Sequence, residues 1–159
     1  MISLEQVRAL EARVEKAVAL ETEPVARAEA AIRTVLATFA GHRTMARLLF
    51  LDTVGAGRVF QAETNALHER FARLIGGYLE EAVAAGACPP MDTRITSIAW
   101  FGAINEVVGR WLLAERPGRL EDAYPALRAA LLRSAGVSSE RIGEVPVPVE
   151  GWDFPEARP

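Results

Sequence analysis

The sequence predicts an all-α fold: a six-helix bundle whose last two long helices form a four-helix dimer interface with a partner chain. Apolar residues recur at steps of three and four along most of the 159 residues, which is the period of one helix face. Sustained two-residue alternation, the mark of a strand, occurs only at residues 145–149, where prolines interrupt it. Glycines and prolines divide the rest into helix-length segments. Half of the residues are hydrophobic and a quarter are charged, so the chain suffices for one core, within the ~100–200 residues of a single domain.

The first helix covers about residues 3–20. Leu4, Val7, Leu10, Val14 and Val18 form a narrow stripe, and Ser3 with Gln6 is a capping box that answers two orphan N–H groups. Pro24 resets the chain and is preset for a first helical turn. The second helix follows with Val25, Ala28, Ile32, Val35, Leu36 and Phe39 on one face, and Gly41 ends it. A third, about residues 44–53, is apolar over most of its girth, which predicts burial, and the Gly55-Ala56-Gly57 turn stops it. The fourth, about residues 58–85, sets Phe60, Glu63, Thr64, Leu67, Phe71, Leu74, Ile75, Tyr78 and Ala82 in one stripe, with Asn65, Glu69, Arg70, Arg73 and Glu80 opposite. Gly86 and Pro89-Pro90 end it. The fifth runs from an Asp92 or Thr93 cap to about residue 115, before Pro117-Gly118. The sixth starts near Glu121 and Asp122, tolerates Pro125 in its first turn, buries Tyr124, Leu127, Ala130 and Leu131, and is capped by Gly136. Residues 1–136 thus read as one helical domain. Residues 137–159, with four prolines and no helical stripe, read as an extended tail in which Val147, Val149, Trp152 and Phe154 are docking groups, or as a disordered end.

The fifth helix bears on assembly. At about 100° per residue, Trp100, Phe101, Ile104, Val107, Val108, Trp111 and Leu112 take nearly half its circumference and face the core. Ile95, Ile98, Gly102, Gly109 and Leu113 form a second apolar flank, with the glycines seven residues apart. A helix apolar on two sides needs a second cover, and Tyr124, Leu127 and Leu131 of the sixth helix offer a parallel stripe, so a two-fold homodimer is expected. The alternative is that the glycines only permit tight packing inside one protomer.

Charge and motifs exclude several function classes. With 18 basic against 21 acidic residues and a net charge of -3, the chain lacks the basic cluster of a nucleic-acid surface. Cys88 is alone, so neither an intrachain disulfide nor a cysteine metal site is available, and a reducing cytoplasm is the simplest compartment. The N-terminus has no continuous apolar run of the signal-peptide kind. The most apolar stretch, residues 95–114, is interrupted by Thr96, Ser97, Asn105, Glu106 and Arg110, which argues against a membrane span. His42 and His68 lie on different elements, so no helical metal pair exists. No phosphate-binding loop, nucleophile elbow or dinucleotide motif occurs, and Cys88 has no basic neighbour to activate it. No catalytic residue, metal or cofactor is assigned.

What remains is a few polar groups among bulky apolar ones: Glu63, Thr64 and His68 with Phe39, Phe60, Leu67, Phe71, Phe101, Ile104 and Trp111. This is the composition of an apolar small-molecule cavity and equally that of an ordinary core. Thr34 and Thr38 are further small polar groups able to line the same space, and a partly buried core histidine is the plain alternative for His68.

The runs RLLFLDTVGAG, RVFQAETNALHERFARLIGGYLEEAVAAG and AWFGAINEVVGRWLLAERPGRLEDAYPALRAALLRSAG resemble the C-terminal regulatory domain of TetR-family transcriptional regulators. There a Gly-Ala-Gly turn often precedes the long helix, and a phrase like Gly102-Ala103, Asn105-Glu106 and Arg110-Trp111-Leu112 marks the first of two dimerising helices. The resemblance covers about residues 3–136 and implies a homodimeric repressor's sensor, in which an unidentified small-molecule effector changes the spacing of two DNA-reading heads. The family's N-terminal helix-turn-helix and its aromatic YxHF-like phrase are missing here, and the first helix corresponds to the linker that joins head to sensor. Residues 135–138 echo a helix-turn-helix turn, but no basic helix follows them, so operator DNA is a partner only if a head is supplied upstream. The second expectation is a stand-alone helical dimer that binds a small molecule or a partner protein without any DNA role; an enzyme on this bundle is third.

Overall fold

The computed structural model describes residues 4–50, 57–114 and 118–145, with side chains throughout except at 4, 48–50, 59–61, 63 and 64. Its helices are α1 (Leu4–Ala19), α2 (Pro24–Gly41), α3 (Arg43–Phe50), α4 (Arg58–Ala84), α5 (Thr93–Leu113), α6 (Tyr124–Ser134) and α7 (Ser139–Ile142), with a 3-10 turn (Leu120–Ala123) leading into α6. The Ser3 capping box lies outside the described residues, as does the segment after α3.

Local chemistry accounts for the boundaries. Pro24 opens α2, and the Glu23 carboxylate caps it, accepting from the N–H groups of Val25 and Ala26 at 2.9 Å each. Asp92 caps α5 by accepting from Ile95 N–H at 3.0 Å. Two helices end alike. Beyond α4, Gly86 takes φ +75°, with Ala87 N–H donating to Ala82 O at 2.9 Å; beyond α6, Gly136 takes φ +79°, with Val137 N–H donating to Leu132 O at 3.0 Å. Both close a six-to-one hydrogen bond through a left-handed residue, a conformation that glycine adopts without strain.

α2 is the central post, in contact with α1, α3, α4, α6 and the 3-10 turn, while α4 and α5 pair along their length. α1 lays Val7, Leu10, Val14 and Val18 on α2, and α5 buries Trp100, Ile104, Val108, Trp111 and Leu112. At the α4–α5 contact the missing side chain of Gly76 admits Ser97, whose Oγ lies 3.6 Å from where a β-carbon would stand. Arg27 ties three elements together: its Nε lies 3.1 Å from Glu81 of α4, and its Nη1 donates to the carbonyls of Val18 at 3.4 Å and Glu21 at 3.3 Å. Arg70 of α4 pairs with Glu11 of α1 at 2.7 Å. Arg43 lies 4.6 Å over the Trp111 ring and donates to Leu112 O at 2.9 Å, which pins α3 to the end of α5.

Two expectations are corrected. The packed body does not end at Gly136: Val137 and Ile142 are buried, and α7 folds between them. Charge pairing holds it in place. Arg128 sits 3.1 Å from Glu29 and donates to Ile142 O at 2.8 Å, while Arg141 reaches Glu23 and Glu29 at 2.9 Å each. Residues 146–159, with the docking groups named above, lie outside the described residues. The second correction concerns α6. Leu127 and Leu131 are 7% and 4% exposed inside the protomer's own core, and the half-buried Tyr124 donates from its hydroxyl to Glu29 O at 3.4 Å. The α6 stripe is therefore occupied by α2 and the neighbouring core, not left for a partner, and Ala130 faces outward.

Candidate functional site

A slot opens between α1, α2, α4 and α5. α1 contributes Val14; α2 contributes Ala28, Ala31, Ile32, Val35 and Phe39; α4 contributes Phe71, Leu74, Ile75 and Tyr78; α5 contributes Trp100, Phe101 and Ile104. No wall residue carries a charge. The slot is partly continuous with solvent, and the cavity between its walls is about 40 Å³. It is thus narrow, and its apolar walls offer no partner to a charged solute. The space exists because α2 places the small Ala28 and Ala31 opposite the large residues of α4 and α5.

Of the residues the sequence nominated, Phe39, Phe71, Phe101 and Ile104 meet on the slot wall. Phe71 stacks on Phe101 with ring centroids 6.5 Å apart, and the His68 ring tilts against the same Phe101 at 4.8 Å. His68 therefore flanks the slot one turn beyond its wall. Leu67 is buried in the core beside it, and Trp111 is held further along α5, its indole N–H donating to Gly118 O at 2.9 Å. The side chains of Phe60, Glu63 and Thr64 lie outside the described residues. Thr34 and Thr38 spend their hydroxyls on their own helix, donating to Ala30 O at 2.7 Å and Thr34 O at 2.8 Å. Val14, Ala28, Ala31, Ile32, Val35, Leu74, Ile75, Tyr78 and Trp100 were not nominated, although all but Ala31 belong to the apolar stripes read from periodicity. Burial pushes the Tyr78 hydroxyl above its ordinary pKa, so it is neutral at physiological pH. Among the described residues no group of three or more His, Cys, Asp or Glu is placed to hold a metal ion, and no helix is long and apolar enough to cross a membrane.

The outward flank of α5 is a separate feature. Ile95, Ile98 and Leu113 are 61%, 47% and 61% exposed, and a β-carbon added at Gly102 or Gly109 would meet nothing within 4 Å. Glu106 and Arg110 pair beside this flank at 2.6 Å, one helical turn apart.

A sequence model of the tetracyclin repressor-like C-terminal domain matches residues 21–122. Among solved structures, the chain is similar to the fatty acid degradation regulator FadR from Bacillus halodurans, at 17% identity and TM-score 0.74, over 80% of this chain and 69% of that one. It is likewise similar to the transcriptional regulator FadR from Bacillus subtilis, solved in complex with stearoyl-CoA, at 18% identity and TM-score 0.73 over the same shares. No curated protein sequence matches it. The helical fold is that of these regulators, and the family match spans α2, α4 and α5 of the slot, with α1 lying before it. The chain belongs to the family of tetracyclin repressor-like C-terminal domains, as a regulatory rather than a catalytic unit.

Proposed function

We propose that this chain is the effector-binding and dimerisation domain of a TetR-like repressor, and that its effector is a small molecule whose apolar body enters the slot. The uncharged slot walled by four helices carries this reading. It reaches Val14 of α1, the helix that would lead to a DNA-reading head, so occupancy and the position of that helix are coupled through one packed contact. The stearoyl-CoA held by the similarly folded Bacillus subtilis regulator supports an alkyl-chain ligand. The exposed flank of α5 supplies the dimer face, with Ile95, Ile98 and Leu113 as its apolar contacts and Gly102 and Gly109 allowing close approach.

Thermal denaturation against stearoyl-CoA, a free fatty acid and a bicyclic aromatic tests the slot. At about a hundredfold excess over Kd, a slot ligand raises Tm by about 5–10 °C. The rise shrinks in Phe71→Ala and Ile104→Ala, which strip two facing walls. No response to any probe, or equal responses in the variants, overturns the assignment.

A further inference from the structure

α7 is a single turn bounded by two left-handed glycines, Gly136 at φ +79° and Gly143 at φ +77°. Its apolar hold on the body is two side chains, Val137 and Ile142. One flank of it borders empty space: a cleft of about 460 Å³ separates Val137, Ser138 and Arg141 from the loop at residues 86–89. The rest of its attachment is ionic and crowded. Arg141 Nη2 donates to Glu23 Oε2 at 2.9 Å, and the same nitrogen stands 2.9 Å from Glu29 Oε1. That Glu29 oxygen is buried and accepts no hydrogen bond among the described residues. One cation is thus shared between two carboxylates and answers only one of them well. Arg128 of α6 holds the far end, donating to Ile142 O at 2.8 Å.

We propose that residues 137–142 are a strap, hinged at Gly136 and Gly143, that latches through Arg141 onto the elbow between α1 and α2 and sets how freely that elbow moves. Glu23 is the hinge pin of the elbow, since it caps α2 on one side and follows the Glu21 carbonyl gripped by Arg27 on the other. With the strap closed, Arg141 fixes the Glu23 carboxylate. With it open, that carboxylate loses its cation and the first turn of α2 frays more easily. The proposal depends on neither the slot nor the dimer face.

Hydrogen exchange of the 159-residue chain, read by mass spectrometry, tests it. Amides of residues 139–143 exchange at least about a hundredfold faster than those of residues 32–36 in α2, because the strap opens while the body stays folded. Raising sodium chloride from about 0.1 to about 1 M shortens the Debye length from about 10 to about 3 Å and speeds strap exchange about two- to fivefold. Arg141→Gln, at a side chain 39% exposed, speeds the strap about tenfold, removes the salt response and speeds residues 25–27 about two- to fivefold, while residues 32–36 do not change. Arg141→Lys keeps the charge and with it the salt response. Strap amides as slow as those of residues 32–36 overturn the hinge. A strap indifferent to salt and to Arg141→Gln overturns the latch, and an unchanged elbow in that variant overturns the coupling. A rise shared by residues 32–36 shows Arg141 to be general support and overturns the proposal.

Discussion

The two helix ends closed by glycine provide a matched experiment. Gly86 and Gly136 occupy the same position of the same capping motif, at φ +75° and +79°. They differ in surroundings: a β-carbon at Gly86 meets nothing within 4 Å, whereas one at Gly136 falls 2.7 Å from both Cγ and Cδ of Pro89. Alanine at either site carries the left-handed strain of roughly 1–2 kcal/mol. At Gly136 it also drives a methyl about 1 Å inside ordinary carbon–carbon contact. The proline ring cannot rotate away, and overpacking of this kind adds about 1–3 kcal/mol. Gly136→Ala therefore costs about 2–5 kcal/mol against about 1–2 for Gly86→Ala, so its Tm falls by about 4–20 °C against about 2–8 °C for a chain of this size. Thermal or urea denaturation measures both, and Pro89→Ala completes a cycle in which the excess at Gly136 disappears. Equal losses at the two glycines, or an excess that survives removal of the ring, would refute the reasoning.

Gly102→Leu and Gly109→Leu each place a side chain in open space on the protomer, so helix content stays unchanged while the chain sediments as a monomer; an unaltered dimer would remove α5 from the interface. Burial raises the Glu23 carboxyl pKa, but hydrogen bonds from Arg141 and from the N–H groups of Val25 and Ala26 outweigh it and hold the pKa below its ordinary 4.5. Its contribution is thus complete above pH 4.5 and is lost as pH falls through the lower folded value, so the stability gap between the unsubstituted chain and Glu23→Gln narrows across that window; a gap constant through it contradicts the assignment. Burial and the nearby Glu23 charge push the Cys88 thiol pKa upward, so native Cys88 resists alkylation at neutral pH and reacts only on unfolding; rapid native labelling would show it to be accessible.

Most of the helical frame was legible because its punctuation is local. Pro24, Gly41, Gly86 and Gly136 act through their own backbone geometry, and each falls at or within two residues of the end of an element. α7 was not legible, since four residues carry no period, and its place is set by Glu23, Glu29, Arg128 and Arg141, which come from distant parts of the chain. Periodicity also left open which surface covers an apolar stripe. Leu127 and Leu131 face their own core, while the equally apolar Ile95 and Leu113 do not. At the slot, bulk was the signal available, and it found Phe39, Phe71, Phe101 and Ile104. The vacancy itself comes from Ala28 and Ala31, small residues that a search for large ones passes over.

Arg27 makes α1 a lever with a fixed fulcrum. By gripping the carbonyls of Val18 and Glu21 while paired to Glu81, it anchors the C-terminal end of that rod to α2 and α4. Val14, which touches the slot, lies about 6 Å from the fulcrum along the axis, and Leu4 about 21 Å, at 1.5 Å per residue. Pushing Val14 sideways by about 1 Å swings the Leu4 end by about 3.5 Å in the rigid-rod limit, at the cost of the Glu11–Arg70 contact that restrains the swing. The slot thus lies beside the pivot, where a small sideways shift of α1 becomes a larger one at its Leu4 end.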